Sequence, residues 1–177
     1  MSIFIAVGLL LASTTPATIS TAADAPPAKY ANEARAGKLH VLQLWSVDQK
    51  RFLKQWSQPT PPNLTTNDSV ERNKPIFQFI IFDSCQADEA GNCNLTGVIT
   101  MKDPNGLPYG ETIRFPVWDN KPAPPPKVLS LAPAGIGLTV EDGEPLGAYK
   151  VRMSVTDHNA EVTATTEVEI IAKEASE

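Results

Sequence analysis

The sequence predicts an all-β sandwich of about seven or eight strands with one short N-terminal helix. Three observations carry that prediction. Residues 149–155 and 162–170 alternate apolar and polar side chains with period two on either side of Asp157-His158-Asn159-Ala160, as a half-buried hairpin requires. Asp103-Pro104-Asn105-Gly106 is strong turn chemistry between two further extended segments. Residues 74–83 form the most apolar stretch after the N-terminus and have strand length.

The N-terminus comes first in the chain and sets the compartment. Residues 3–12 are uncharged and apolar, and small Ser, Thr and Ala residues follow through Ala23. The run is too short for a membrane-spanning helix and reads as an export signal over 1–23, with cleavage expected after Ala22 or Ala23. Residues 24–37 are rich in Ala and Pro and are expected to form a poorly ordered arm. The sandwich domain is expected over 38–173 and a short tail over 174–177.

Within the domain, Leu39, Val41, Leu42 and Leu44 predict a first strand over 38–45. Ser46 reads as a helix N-cap with Gln49 completing a capping box, and Phe52, Leu53 and Trp56 repeat at helical spacing, which predicts a helix over 47–56. Pro59, Pro61 and Pro62 end it and open a polar loop through Asn73. The run over 74–83 is then a central strand buried on both faces. Strands over 95–102 and 109–118 flank the Asp103 turn. Residues 121–126 hold four prolines in six positions, so they form a stiff connection that crosses from one sheet to the other. Short strands over 128–131 and 136–140 precede the final hairpin.

Charge narrows the function. With 20 acidic against 15 basic residues the chain carries a net charge of −5, with mixed signs along its length. That balance argues against nucleic acid and anionic membrane as partners. Cys85 and Cys93 are the sole cysteines, and an even pair in an oxidising compartment predicts a disulfide that pins one loop.

Other constellations bear on chemistry. Asp83, Asp88, Glu89, Asn92 and Asn94 gather enough oxygen in one loop to raise the question of Ca²⁺, but their spacing does not match an EF-hand loop. A solvated, disulfide-pinned loop presenting an epitope is the expectation. His158 beside Asp157 permits a hydrolytic dyad on paper, without a Gly-x-Ser-x-Gly elbow to accept it. Copper binding by His40 or His158 with Met101 or Met153 is disfavoured, because methionines in strands pack in cores. Trp45, Trp56, Trp118 and Tyr109 could stack on sugars if they shared a face, though core packing is the expectation. No catalytic, metal or cofactor-binding residue is assigned.

Gly147-Ala148-Tyr149-Lys150-Val151 with Val155-Thr156-Asp157 resembles the penultimate strand of immunoglobulin-like and fibronectin-type modules. The resemblance implies an immunoglobulin-like sandwich in which Tyr149 hydrogen-bonds back to the preceding corner. A longer set of segments is similar to small exported single-domain proteins of Gram-negative bacteria with no assigned function. It comprises Phe52-Leu53-x-x-Trp56-x-x-Pro59-Thr60, Phe79-Ile80-Ile81-Phe82-Asp83-Ser84-Cys85, Gly91-Asn92-Cys93, Asp103-Pro104-Asn105-Gly106, Val117-Trp118 and Pro145-Leu146-Gly147-x-Tyr149. That similarity implies a periplasmic single-domain protein and supplies no catalytic residues.

The expected function is therefore a non-enzymatic, exported binding or structural accessory protein of the cell envelope, periplasmic or secreted. An envelope protein is the expected partner, and no cofactor is expected. A periplasmic assembly chaperone, a cryptic hydrolase and a glycan-binding module are the alternatives.

Overall fold

The computed structural model describes residues 32–59 and 63–175. The segment read as an export signal, most of the expected arm and residues 176–177 of the expected tail lie outside the described residues. The described residues fold as two five-stranded sheets packed face to face, with one helix on the outer face of the first.

Sheet A contains β1 (Glu33–Ala36), β2 (Leu39–Ser46), β4 (Pro75–Asp83), β7 (Ser130–Leu131) and β8 (Gly137–Thr139), with β7 and β8 both pairing along the far side of β4. Sheet B runs β3 (Ser69–Glu71), β10 (Val162–Lys173), β9 (Gly147–Asp157), β5 (Asn92–Lys102) and β6 (Ile113–Pro122). β3 joins β10 in parallel, and the remaining pairings are antiparallel.

The eight expected strands are all present, and β1 and β3 are added to them. β1 corrects the reading of 24–37 as an arm, because its last residues are strand. Glu-Ala-Arg-Ala has weak strand propensity, and its pairing with Leu39 to Leu42 across a two-residue turn at Gly37 (φ 55°) supplies the order. β3 interrupts the expected polar loop for the same reason, held by Ile171 to Lys173 of β10.

Three boundaries also move. The helix α1 spans Gln49–Trp56, capped by Asp48, whose carboxylate accepts the Arg51 N–H at 2.9 Å. Ser46 instead ends β2, and its hydroxyl accepts the Asp48 N–H at 3.3 Å. β6 begins at Ile113 because Pro108 and Gly110, the latter at φ 68°, break the ladder before it. It ends later than expected, so Lys121 and Pro122 belong to the strand and residues 123–129 make the crossing to sheet A.

β4 explains its own composition. Ile76, Ile80 and Phe82 face sheet B, whereas Phe79 and Ile81 face α1, where Phe52 stacks on Phe79 with ring centroids 3.6 Å apart. Both faces are covered, so period two is lost from the sequence. Between the sheets the core is filled by Leu39, Val41, Trp45, Leu95, Ile99, Tyr149, Val151, Met153 and Val155 among others. Tyr149 donates to the Pro145 carbonyl at 2.8 Å, the corner bond that the resemblance implied. Among the described residues no helix is long and apolar enough to cross a membrane.

Candidate binding groove

At the Leu39 end of β2 the chain builds a polar network around two buried carboxylates. The first is Asp83, the last residue of β4. Its Oδ2 meets Nδ1 of His40 at 2.8 Å, and Nε2 of the same ring meets Glu33 Oε1 at 2.9 Å. Strand pairing dictates this placement, since His40 stands opposite Asp83 on β4 and Arg35 on β1. With both ring nitrogens engaged by carboxylates and 7% of its surface exposed, His40 ties three strands together. The Ser84 hydroxyl completes the set by donating to Asp83 Oδ1.

The second carboxylate is Asp157, 1% exposed at the end of β9. Its Oδ2 accepts the Gln86 N–H at 2.7 Å, while Oδ1 accepts those of Asn159 at 3.0 Å and Ala160 at 3.3 Å. Asn159 Nδ2 reaches back to the carbonyls of Gln86 and Asn92 at 2.9 and 3.0 Å. The β9–β10 turn is thereby strapped to the loop between β4 and β5. The expected disulfide, Cys85–Cys93, closes that loop from within, with the Cα atoms 6.1 Å apart.

These ties fix one wall of a groove of about 770 Å³. Ser84 to Ala87 form that wall, Arg35 to Lys38 of the β1–β2 turn form the floor, and the proline-rich connection through Pro126 and Lys127 forms the opposite wall. Proline fixes φ, so the far wall is as stiff as the near one. Ser84 and Lys127, on opposite walls, both have positive φ, 60° and 64°. Such values are uncommon outside glycine and persist where surrounding structure imposes them. Among the described residues the lining holds three cations, Arg35, Lys38 and Lys127, and no carboxylate side chain. Arg35 is already paired with Glu33 at 3.5 Å, so the groove's uncompensated positive charge comes from Lys38 and Lys127.

The residues singled out in the sequence do not converge elsewhere. Asp157 serves backbone N–H groups, and the His158 ring meets Thr96 Oγ1 at 2.8 Å, so the two do not form a dyad. In the acidic loop, Asp88 Oδ1 accepts the N–H groups of Ala90 and Asn92 at 2.9 and 2.8 Å, which makes it a turn former. Met153 is buried, with Gln78 Nε2 at 3.8 Å from its sulfur. The aromatic set is divided. Trp45 packs between the sheets, Trp56 lies with α1, Trp118 meets Phe82 edge-on at 5.3 Å, and Tyr109 meets Tyr149 at 5.0 Å. Tyr109 also donates to Glu144 at 3.0 Å, and burial first, then that carboxylate, pushes its phenol above the ordinary range.

Sequence reading missed Asp157 as the organiser of this end. The signal was there, because Asp-x-Asn at a hairpin tip is the composition of a side chain that caps its own turn.

No protein-family model matches the sequence, and no curated protein matches it. Among solved structures, the chain is similar to a family 123 glycoside hydrolase from Clostridium perfringens described for glycolipid glycan hydrolysis. Identity is 14% and the TM-score 0.44, over 76% of this chain and 28% of the hydrolase, so the chain spans little more than a quarter of that protein. It is also similar to a Niemann-Pick type C2 protein from the Japanese carpenter ant, at 14% identity and a TM-score of 0.37, over 59% of this chain and 79% of that one. Likeness of this degree carries no argument about activity or ligand.

Proposed function

We propose that this chain is an exported, non-enzymatic binding or structural accessory protein of the cell envelope, and that the groove at the Leu39 end is the face it presents to an envelope protein. The observation that carries the reading is the groove itself: its walls are rigid on both sides, and it is lined by three cations and no carboxylate. Rigid walls lower the ordering cost of association, and clustered charge of one sign steers a complementary partner. An acidic, extended segment of the partner fits both properties. The disulfide is compatible with an oxidising compartment, and a periplasmic site of action is the reading we adopt.

Two finer points belong to the same proposal. The sandwich is of immunoglobulin type, a reading supported by the Tyr149–Pro145 corner bond. Recognition works through the groove and not by strand donation. The edge strands disfavour strand exchange: β1, β3, β7 and β8 are two to four residues long, and β6 carries Pro116, Pro122 and two register shifts against β5.

The test is an affinity capture of the tagged protein from crosslinked cell envelope, compared with Lys38→Glu/Lys127→Glu in the same host. A partner captured stoichiometrically by the parent and lost with the double variant is expected. Capture that is indifferent to the reversal, or no capture by either, would sink the groove as the partner face.

A further inference from the structure

The proline-rich wall of the groove continues past Lys127 as exposed apolar surface. Val128 and Leu129 follow directly and are 49% and 44% exposed, and among the described residues they are the only two large exposed hydrophobics adjacent in the chain. Single exposed apolar side chains are ordinary, whereas an adjacent pair at the lip of a groove enlarges the apolar surface that a partner can cover.

A fixed turn sets this pair at the lip. The Val128 N–H donates to the Pro125 carbonyl at 3.1 Å, which closes a four-residue turn with Pro126 and Lys127 at its centre. Proline holds φ at about −65° in the first central position, and Lys127 has φ 64° in the second, so the turn is of type II. Glycine takes that second position at least cost. A lysine that occupies it and also lines the groove points to a use for the side chain that outweighs the backbone strain. At the other side of the pair, Ser130 pairs with Phe82, so Leu129 enters sheet A beside Asp83, and the near wall begins at Ser84. The aliphatic pair and the groove therefore form one continuous surface.

That surface carries two chemistries. Among the described residues neither Lys38 nor Lys127 is held in an ion pair, so both call for anionic partners. Val128 and Leu129 call for apolar ones. An extended segment turns successive side chains to opposite sides and can meet both demands at once. We propose that the partner segment taken by the groove is amphipathic, with acidic residues alternating with aliphatic ones: its carboxylates meet Lys38 and Lys127, and its aliphatic side chains cover Val128 and Leu129. This rests on the groove reading above and adds an apolar requirement to the charge requirement.

The test is fluorescence anisotropy of the labelled peptides (Glu-Leu)₄, (Glu-Ser)₄ and (Lys-Leu)₄ titrated with the purified protein. (Glu-Leu)₄ is expected to bind saturably and about tenfold or more tighter than (Glu-Ser)₄, with (Lys-Leu)₄ unbound. Val128→Ser/Leu129→Ser should bind the two acidic peptides alike, and Lys38→Glu/Lys127→Glu should bind neither. Lys127→Gly removes the ammonium and relieves the turn, so it should melt no lower than the parent and still bind (Glu-Leu)₄ more weakly; it decides the matter if a double variant does not fold. Equal affinity for (Glu-Leu)₄ and (Glu-Ser)₄, both lost on lysine reversal, would overturn the apolar requirement and leave the groove reading standing. Binding of (Glu-Leu)₄ that is indifferent to lysine reversal would overturn both. No saturable binding of (Glu-Leu)₄ up to about 1 mM protein would overturn this proposal, and phosphatidylglycerol vesicles bound in its place through Val128 and Leu129 would assign the surface to a membrane.

Discussion

The two ends of β2 treat buried polar groups in opposite ways. At the Leu39 end, His40, Asp83 and Asp157 each meet two or more partners, and a disulfide and a proline-rich wall lie beside them. Toward the Ser46 end, Gln43 and Trp45 are as deeply buried, yet each leaves an N–H group without an acceptor. The first pattern rigidifies a surface that can be presented to a partner. The second leaves hydrogen-bonding capacity unused inside the core, at a cost in stability.

The comparison is tested most severely by Asp157→Ala. It removes a buried carboxylate that three backbone N–H groups use, and is expected to cost about 3 kcal/mol or more. Urea denaturation measures it, and a loss under about 1 kcal/mol would mean that the strap is dispensable. Replacing Cys85 and Cys93 by serine should cost somewhat less, about 2.5 kcal/mol from the loop-closure entropy of an eight-residue separation. The midpoint should fall with little change in slope.

Gln43→Met supplies the opposite arm. Removing an unsatisfied amide donor offsets the lost Thr166 bond, so stability should change by less than about 1 kcal/mol in either direction. A loss as large as that of Asp157→Ala would erase the contrast between the two ends. The smallest effect at neutral pH involves neither end. Tyr109 is held above its ordinary value of 10.0 by burial and by Glu144, and Tyr149 by burial, Glu144 and Asp103. The folded state then retains protons that the unfolded chain releases, so this contribution is complete below about pH 10 and declines as pH rises beyond it. Alkaline melts should show that decline, and Tyr109→Phe should make it shallower.

How much of this was legible in the sequence depends on where each interaction originates. The β9–β10 hairpin and the Asp103 turn were readable because alternation and turn chemistry are local. β1 and β3 were not, since weakly strand-forming residues become strands only beside partners supplied by β2 and, from about a hundred positions away, β10. The disulfide was readable from two cysteines. The groove was not, because it needs a β1–β2 turn, a β4–β5 loop and a proline-rich crossing to meet in space. Gln43 lies between these cases. Leu39, Val41 and Trp45 share its parity, so one polar residue on an apolar face was visible, but its missing partner was not.

The placement of β10 bears on how the molecule comes into being. The last described strand sits inside sheet B, between β9 and β3, and not at its edge. β3 is made long before the strand it pairs with, so sheet B cannot close until β10 has been made. On the proposed export route such an order is protective: premature folding on the near side is deferred until the β9–β10 hairpin arrives.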